Sequence, residues 1–111
     1  MFLQRDNDDD TPLHCASGHP DGLPGYGHPD IVEFLAKSGA KLDEVNKQRN
    51  TALIIAVKCG HAKICEILAK KGAKVNSFDG TVAPIFFATQ NGDLPVCKIL
   101  VRYKAELNVV S

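Results

Sequence analysis

The side chains with the widest chemical repertoire in this sequence are four cysteines and four histidines. Structural zinc sites favour close ligand pairs such as C-x₂₋₄-C, with a second pair downstream. Cys59 and Cys65 are six positions apart, and no second close pair follows them. Cys65 and Cys97 instead recur within similar apolar segments, where a free cysteine packs as a small hydrophobic side chain. These two cysteines are therefore predicted to be core residues, and no metal or other cofactor is expected.

A glycine- and proline-rich segment carries the other polar residues that could act together. The tetrapeptide GHPD occurs twice there, at 18–21 and at 27–30. Its histidines and aspartates could bind a metal in principle, but so flexible a frame would hold the ligands poorly. The segment also lacks the lysine of a phosphate-binding loop. Since nothing brings a nucleophile, a base and an orienting acid together, the sequence predicts a protein that is not an enzyme.

Composition narrows the partner class and the compartment. Thirteen basic and thirteen acidic residues give a formal net charge of zero, which argues against attraction to nucleic acid or to an anionic membrane. The longest apolar runs, such as 52–57, are too short to cross a bilayer. Charged residues follow the first apolar positions at once, so no secretory signal is predicted. We therefore expect an intracellular protein, cytoplasmic or nuclear, with reduced thiols.

The elements that would position these side chains repeat along the chain. Residues 51–68 align with residues 83–100 at a constant offset of 32. The first copy aligns with the second at an offset of 40 in its first half and of 33 in its second half, and the difference is an insertion of seven residues. We predict a single domain, residues 1–111, with repeats at about 6–45 (insertion 17–26), about 46–78 and about 79–110.

Each repeat has the pattern of two short helices. In the second repeat an apolar segment, 52–59, stops at Gly60, and glycine ends helices readily because it takes positive φ without strain. A second segment, 62–71, has apolar residues at helical spacing and stops at Gly72. Neither helix would be stable alone. Stacked copies bury one another's apolar faces, so the pattern predicts an all-α solenoid.

Two sets of residues resemble the ankyrin repeat family. One is Thr11-Pro12-Leu13-His14-Cys15-Ala16 followed by Gly27-His28, and the other is Gly60-His61 followed by Gly72-Ala73. This signature and the repeat period are similar to those of the family. The resemblance implies an all-α solenoid of stacked helix-turn-helix units joined by β-hairpin-like loops. It also implies that Thr11 and His14 hold neighbouring loops together, an arrangement the other two repeats lack because they have no histidine at the equivalent position.

The resemblance further implies a non-catalytic module that binds another protein through hairpin tips and the concave face of the first helices. The predicted hairpins differ: the first (6–10) is acidic, the second (46–50) is basic and the third contains Phe78, which provides a basis for selectivity. Phe78 is either the main aromatic anchor or a residue tucked under its hairpin. The implied contact residues are Asn7, Asp8, Asp10, Val45, Lys47, Gln48, Asn50, Lys58, Phe78 and Gln90. The insertion is most simply a tolerated loop, and the alternative is a binding loop with Leu23 and Tyr26 as apolar contacts.

Two alternatives for the function stay open. The chain could be a substrate-targeting segment of a longer multidomain enzyme, or a designed repeat scaffold, although irregular repeats weigh against design. The third repeat keeps the internal apolar pattern, so we expect either a fragment of a longer array or a small array capped by self-association. The chain itself would then be a monomer, or self-associated through its uncapped terminal repeats.

The resemblance also marks two asparagines as candidates for hydroxylation by a 2-oxoglutarate-dependent oxygenase. Asn76 and Asn108 each follow an aliphatic residue, and each has a leucine eight positions earlier. The simpler interpretation is that Asn76 forms hydrogen bonds within its turn.

Overall fold

The computed structural model describes residues 9–19, 26–76 and 81–105. These residues form six α-helices, and no strand occurs among them. The all-α prediction is confirmed. The helices are α1 Pro12–Ser17, α2 Pro29–Lys37, α3 Ala52–Cys59, α4 Ala62–Lys70, α5 Pro84–Asn91 and α6 Leu94–Arg102.

The first helix of each repeat begins at a capping position. The hydroxyls of Thr11 and Thr51 accept hydrogen bonds from the backbone N–H groups of His14 and Ile54, at 3.3 and 3.1 Å. Such a bond satisfies one of the N–H groups that a helix start leaves without an intrahelical partner. Ala83 takes the equivalent position in the third repeat and provides no side-chain cap. A proline at the first position of α5 presets the helical φ there instead.

The second helices end in the same left-handed conformation in all three repeats, but with different residues. Gly39 and Gly72, which follow α2 and α4, have φ of 96° and 103°. The equivalent residue after α6 is Lys104, with φ of 76°. A side chain in this region is strained because its Cβ approaches the backbone closely. The third repeat therefore ends with a conformational cost that the first two repeats avoid.

Replacing Lys104 with glycine is expected to stabilise the protein by about 0.5–1 kcal/mol, because relief of the left-handed strain outweighs the greater freedom of an unfolded glycine. The urea midpoint of unfolding, followed by circular dichroism, measures the change. Lys98→Gly, inside α6, is the control and should destabilise by about 1 kcal/mol. A lower midpoint for Lys104→Gly would show that the strain is not present.

The six helices pack as three pairs in two layers. Each repeat contributes one pair: α1 with α2, α3 with α4, and α5 with α6. The first helices contact one another in sequence, α1 to α3 to α5, and the second helices do the same, α2 to α4 to α6. A continuous core of buried side chains, including Val32, Leu53, Leu68, Val96 and Leu100, runs between the layers. This nearest-neighbour arrangement is the predicted solenoid.

The cysteines differ strongly in their surroundings. Cys65 is fully buried in the core, and burial raises the pKa of its thiol to about 12. Cys97 is half-buried and packs against the same core, so the prediction for these two residues is confirmed. Burial also raises the pKa of the half-buried Cys59. Cys15 is exposed, and none of the four cysteines forms a disulfide.

Alkylation of the native protein at neutral pH is expected to start at Cys15 and to reach Cys65 only when the protein unfolds. The thiolate is the reactive species, so both the raised pKa and the burial protect Cys65. Peptide mass spectrometry after timed iodoacetamide treatment measures the order, and the same treatment in urea is the control. Equal rates at Cys15 and Cys65 in the native protein would contradict this packing.

Candidate protein-binding surface

The turn between the first and second repeats is organised by the amide of Asn46. Its Oδ1 accepts hydrogen bonds from the backbone N–H groups of Gln48 and Asn50, both at 3.0 Å. The backbone of Asn46 also donates to the carbonyl of Asn50 at 3.1 Å, which closes a hairpin-like turn. Asn46 itself is buried. Its role was not predicted from the sequence, although an asparagine two positions before a bonded N–H is the usual signal for such a turn.

Asn46 also joins this turn to the one before it. Its Nδ2 donates to Oδ1 of Asp10 at 2.8 Å, across 36 positions of sequence. The two loops that precede α1 and α3 are therefore fixed relative to each other by a buried hydrogen bond. A hydrogen bond to a carboxylate is stronger than one between neutral groups.

His14 makes a second bridge between the same loops. Its Nδ1 accepts from the backbone N–H of Thr11 at 2.9 Å, so the ring is neutral and carries its proton on Nε2. Nε2 then donates to the carbonyl of Asn50 at 3.0 Å. The ring is fully buried between the loops. The prediction that Thr11 and His14 hold neighbouring loops together is confirmed.

These bonds correct the expected positions of two contact residues. Asp10 and Asn50 are only 7% and 3% exposed, because their polar groups bond within the stacked loops rather than at the tips. The Nδ2 of Asn50 is buried with no hydrogen-bond partner among the described residues. Both residues support the hairpins and offer almost no surface to a partner.

The other described contact candidates retain accessible surface. Lys47 and Gln48 are exposed at the tip of the second hairpin, and Val45 is half-buried beside them. Gln90 is exposed on α5. The ammonium group of Lys58, on α3, lies 4.7 Å from the ring centre of Phe87 on α5, a cation–π contact between neighbouring first helices.

The remaining candidates divide into two groups. Tyr26 is exposed, with its ring centre 5.2 Å from that of His19. Asn76 is half-buried, and its Nδ2 donates to the carbonyl of Lys104 at 3.4 Å, so it links the segment after α4 to the segment after α6. The rest lie outside the described residues: Asn7, Asp8, Leu23, Phe78 and Asn108.

The two ends of the insertion rest on the second repeat. The thiol of Cys59 donates to the carbonyl of His19 at 3.3 Å. His61 Nε2 bonds to the carbonyl of Tyr26. A Cβ on Gly18 would lie 2.7 Å from Cys59 Sγ, and one on Gly27 would lie 2.7 Å from the His61 ring. The described ends of the insertion are therefore packed and bonded, more constrained than the tolerated loop expected from their composition.

Ion pairs connect the second helices on the opposite side of the stack. Glu33 on α2 lies 3.0 Å from Lys71, which follows α4, and Glu66 on α4 lies 2.9 Å from Arg102 on α6. The hydrogen bond from Lys71 lowers the pKa of Glu33 below its ordinary value. The pair therefore stabilises the fold above the ordinary carboxyl pKa, and this contribution is lost as the pH falls.

The described residues contain neither a candidate metal-binding cluster nor a candidate membrane-spanning helix. Within residues 9–19, 26–76 and 81–105, no group of three or more His, Cys, Asp or Glu side chains is placed to hold a metal ion. Among the helices of the same ranges, none has the length and apolar character needed to span a bilayer.

Stacked helix pairs, with a hairpin-like turn at residues 46–50 between the first two pairs, define a helical repeat protein of the solenoid class. The family model for ankyrin repeats (3 copies) matches residues 23–111. The chain belongs to the ankyrin repeat family, whose members are generally protein-interaction modules.

Similar segments occur in much longer proteins. Protein fem-1 homolog C of Homo sapiens is 44% identical over 48 residues, which are 43% of this chain and 7% of that protein. Transient receptor potential cation channel subfamily A member 1 of Drosophila melanogaster is 39% identical over 46 residues, which are 41% of this chain and 3% of that protein. The chain thus spans less than a tenth of the length of these relatives.

Proposed function

We propose that this chain binds another protein, without catalysis, through the tip of the second hairpin and the adjoining exposed part of the first helices. Lys47, Gln48 and Gln90 are exposed there, and Lys58 and Val45 are half-buried. Asn7, Asp8 and Phe78 belong to the same proposed surface as residues of the flanking hairpins. Tyr26 and Leu23 would extend it along the insertion.

The observation that carries this proposal is the buried network beneath the second hairpin. Buried hydrogen bonds inside the stack are formed by Asn46, Asp10 and His14. The exposed tip is therefore held in one conformation by groups that a partner does not touch. A preorganised tip loses little conformational freedom on binding, which favours affinity. The network uses backbone N–H groups of the tip, whereas the side chains of Lys47 and Gln48 are exposed and can determine the partner.

The basic residues of the proposed surface favour a partner with an acidic surface. The second hairpin carries Lys47 and Arg49, both exposed, and Lys58 adds a cation on the adjacent helix. A complementary acidic patch would raise the association rate and disfavour basic partners. The acidic first hairpin, with Asp8 beyond the described residues, would select the orientation of such a partner.

A matched pair of charge reversals tests the surface. Lys47→Glu is expected to weaken a partner recovered with the wild-type chain about tenfold or more, an effect of about 1.4 kcal/mol. Lys63→Glu makes the same charge change at an exposed position of α4, in the other helix layer, and should leave affinity unchanged. Titration by isothermal calorimetry measures both. Equal affinities for the wild type and Lys47→Glu would remove the hairpin tip from the proposed surface.

The hypothesis of a substrate-targeting segment is compatible with the same surface. The segments of the compared relatives that match this chain are small parts of longer proteins, so a bound protein could be a substrate presented to chemistry elsewhere. Finding that the bound partner is covalently changed only by a full-length form would favour this second function.

A further inference from the structure

The first repeat exposes two apolar positions that the other repeats bury. Ile31 is 44% exposed and Phe34 is 66% exposed, one turn apart on α2. Their equivalents, at offsets of 33 and 65 along the chain, are at most 7% exposed. These equivalents are Ile64 and Val96 for Ile31, and Ile67 and Ile99 for Phe34.

The preceding repeat is what covers these positions in the interior of the stack. A Cβ on Gly27 would lie 3.0 Å from Cδ1 of Ile64, so Ile64 faces the first repeat. Ile67 lines a groove between α4 and α2 together with Glu33. Ile31 and Phe34 therefore form the surface that a preceding helix pair would cover, which we name the N-face.

The third repeat exposes the opposite surface. Phe86 and Cys97 are only partly buried, whereas their equivalents in the first two repeats are 2% exposed or less. Val101 is 49% exposed, compared with 7% for Ala69 in the second repeat. His14 is the equivalent of Phe86 in the first repeat, and its side chain bonds to the carbonyl of Asn50 in the following repeat. Residues at this position of a repeat therefore face the repeat that follows. We name Phe86, Cys97 and Val101 the C-face.

We propose that a second copy of this chain docks head to tail, with its N-face against the C-face of the first copy. The equivalent surfaces of neighbouring repeats already pack against each other twice within the chain, between repeats one and two and between repeats two and three. Among residues 9–19, 26–76 and 81–105, no helix pair packs against the apolar N-face or the apolar C-face, and each face is the complement of the other in these internal interfaces. Such a heterologous contact extends into a longer stack unless the rotation closes a ring.

The ion pairs between repeats predict how the charges meet at this junction. Inside the chain, Glu66 pairs with Arg102 of the following repeat. At the junction between two copies, Lys98 takes the place of Glu66, and Lys37 of the next copy takes the place of Arg102. Two like charges therefore face each other there. The junction is thus weaker than the internal interfaces. Restoring the acid with Lys98→Glu should tighten it by about two- to fivefold, the effect of an exposed ion pair.

Sedimentation velocity over a range of concentrations tests association of the whole 111-residue chain. The wild type is expected to show a mean mass that rises with concentration beyond that of a dimer. Phe34→Glu on the N-face and Val101→Glu on the C-face should each weaken association by about ten- to a hundredfold, the factor for failing to bury a large apolar side chain. Both positions are exposed in one copy, and circular dichroism confirms that each variant is folded.

Mixing the two variants distinguishes head-to-tail docking from other modes. Phe34→Glu retains an intact C-face and Val101→Glu retains an intact N-face, so an equimolar mixture should form a one-to-one dimer and nothing larger. A wild type that stays monomeric at every concentration would overturn the proposal. It would equally be overturned by either variant self-associating like the wild type, or by a mixture that remains monomeric. Neither face contains Lys47, so these outcomes leave the proposed protein-binding surface untouched.

Discussion

Replacing His14 with alanine is expected to lower the free energy of unfolding by about 2–4 kcal/mol, a large part of the stability of a small domain. The fully buried ring accepts from the N–H of Thr11 and donates to the carbonyl of Asn50. Alanine would leave both backbone groups without these partners and would open a cavity between two loops. Urea unfolding followed by circular dichroism measures the loss.

A second substitution at the same position separates packing from hydrogen bonding. Ile54 is the equivalent residue in the second repeat and is buried there. His14→Ile would keep most of the volume but none of the bonds, so we expect a smaller loss, about 1–2 kcal/mol. If His14→Ala and His14→Ile both unfold at the wild-type midpoint, the bridge between the loops does not stabilise the stack.

Replacing Gly18 with alanine is expected to destabilise the protein by about 2–4 kcal/mol, through two effects that add. Gly18 has φ of 149° and ψ of −175°, a region that is open almost only to glycine. The new Cβ would also lie 2.7 Å from Cys59 Sγ and 3.2 Å from the carbonyl oxygen of Tyr26. Thermal or urea unfolding gives the size of the effect.

Gly39→Ala provides the matched control for Gly18→Ala. Gly39 also has a positive φ, 96°, but a Cβ there would meet no heavy atom within 4 Å. Its substitution reports the backbone effect alone, about 1 kcal/mol. If Gly18→Ala is no more destabilising than Gly39→Ala, the insertion does not pack closely on the second repeat.

The repeat pattern in the sequence predicted the helices well because their boundaries are set locally. The glycine at 60 was expected to end a helix, and α3 ends at Cys59 with Gly60 at φ of 73°. The prediction for the next helix was 62–71, whereas α4 ends at Lys70. The difference is one residue, because Lys71 caps the helix and the left-handed turn follows at Gly72.

The contact surface was predicted less well because burial in the hairpins depends on pairing between distant residues. Asp10 was expected to contact a partner from the acidic first hairpin, yet it is buried and bonds to Asn46, 36 positions away. The packing of Gly18 and Gly27 on the second repeat likewise depends on residues far along the sequence, such as Cys59 and His61. Ile31 and Ile64 have the same residue type, and only their place in the stack makes one exposed and the other buried.

Hydrogen–deuterium exchange of the chain with and without its bound partner tests the proposed function most directly. Slower exchange at residues 45–50, together with segments that contain Lys58 and Gln90, is the expected result, because the partner would cover the second hairpin and the adjoining first helices. Protection confined to α2, α4 and α6, with the second hairpin exchanging as in the free chain, would contradict it.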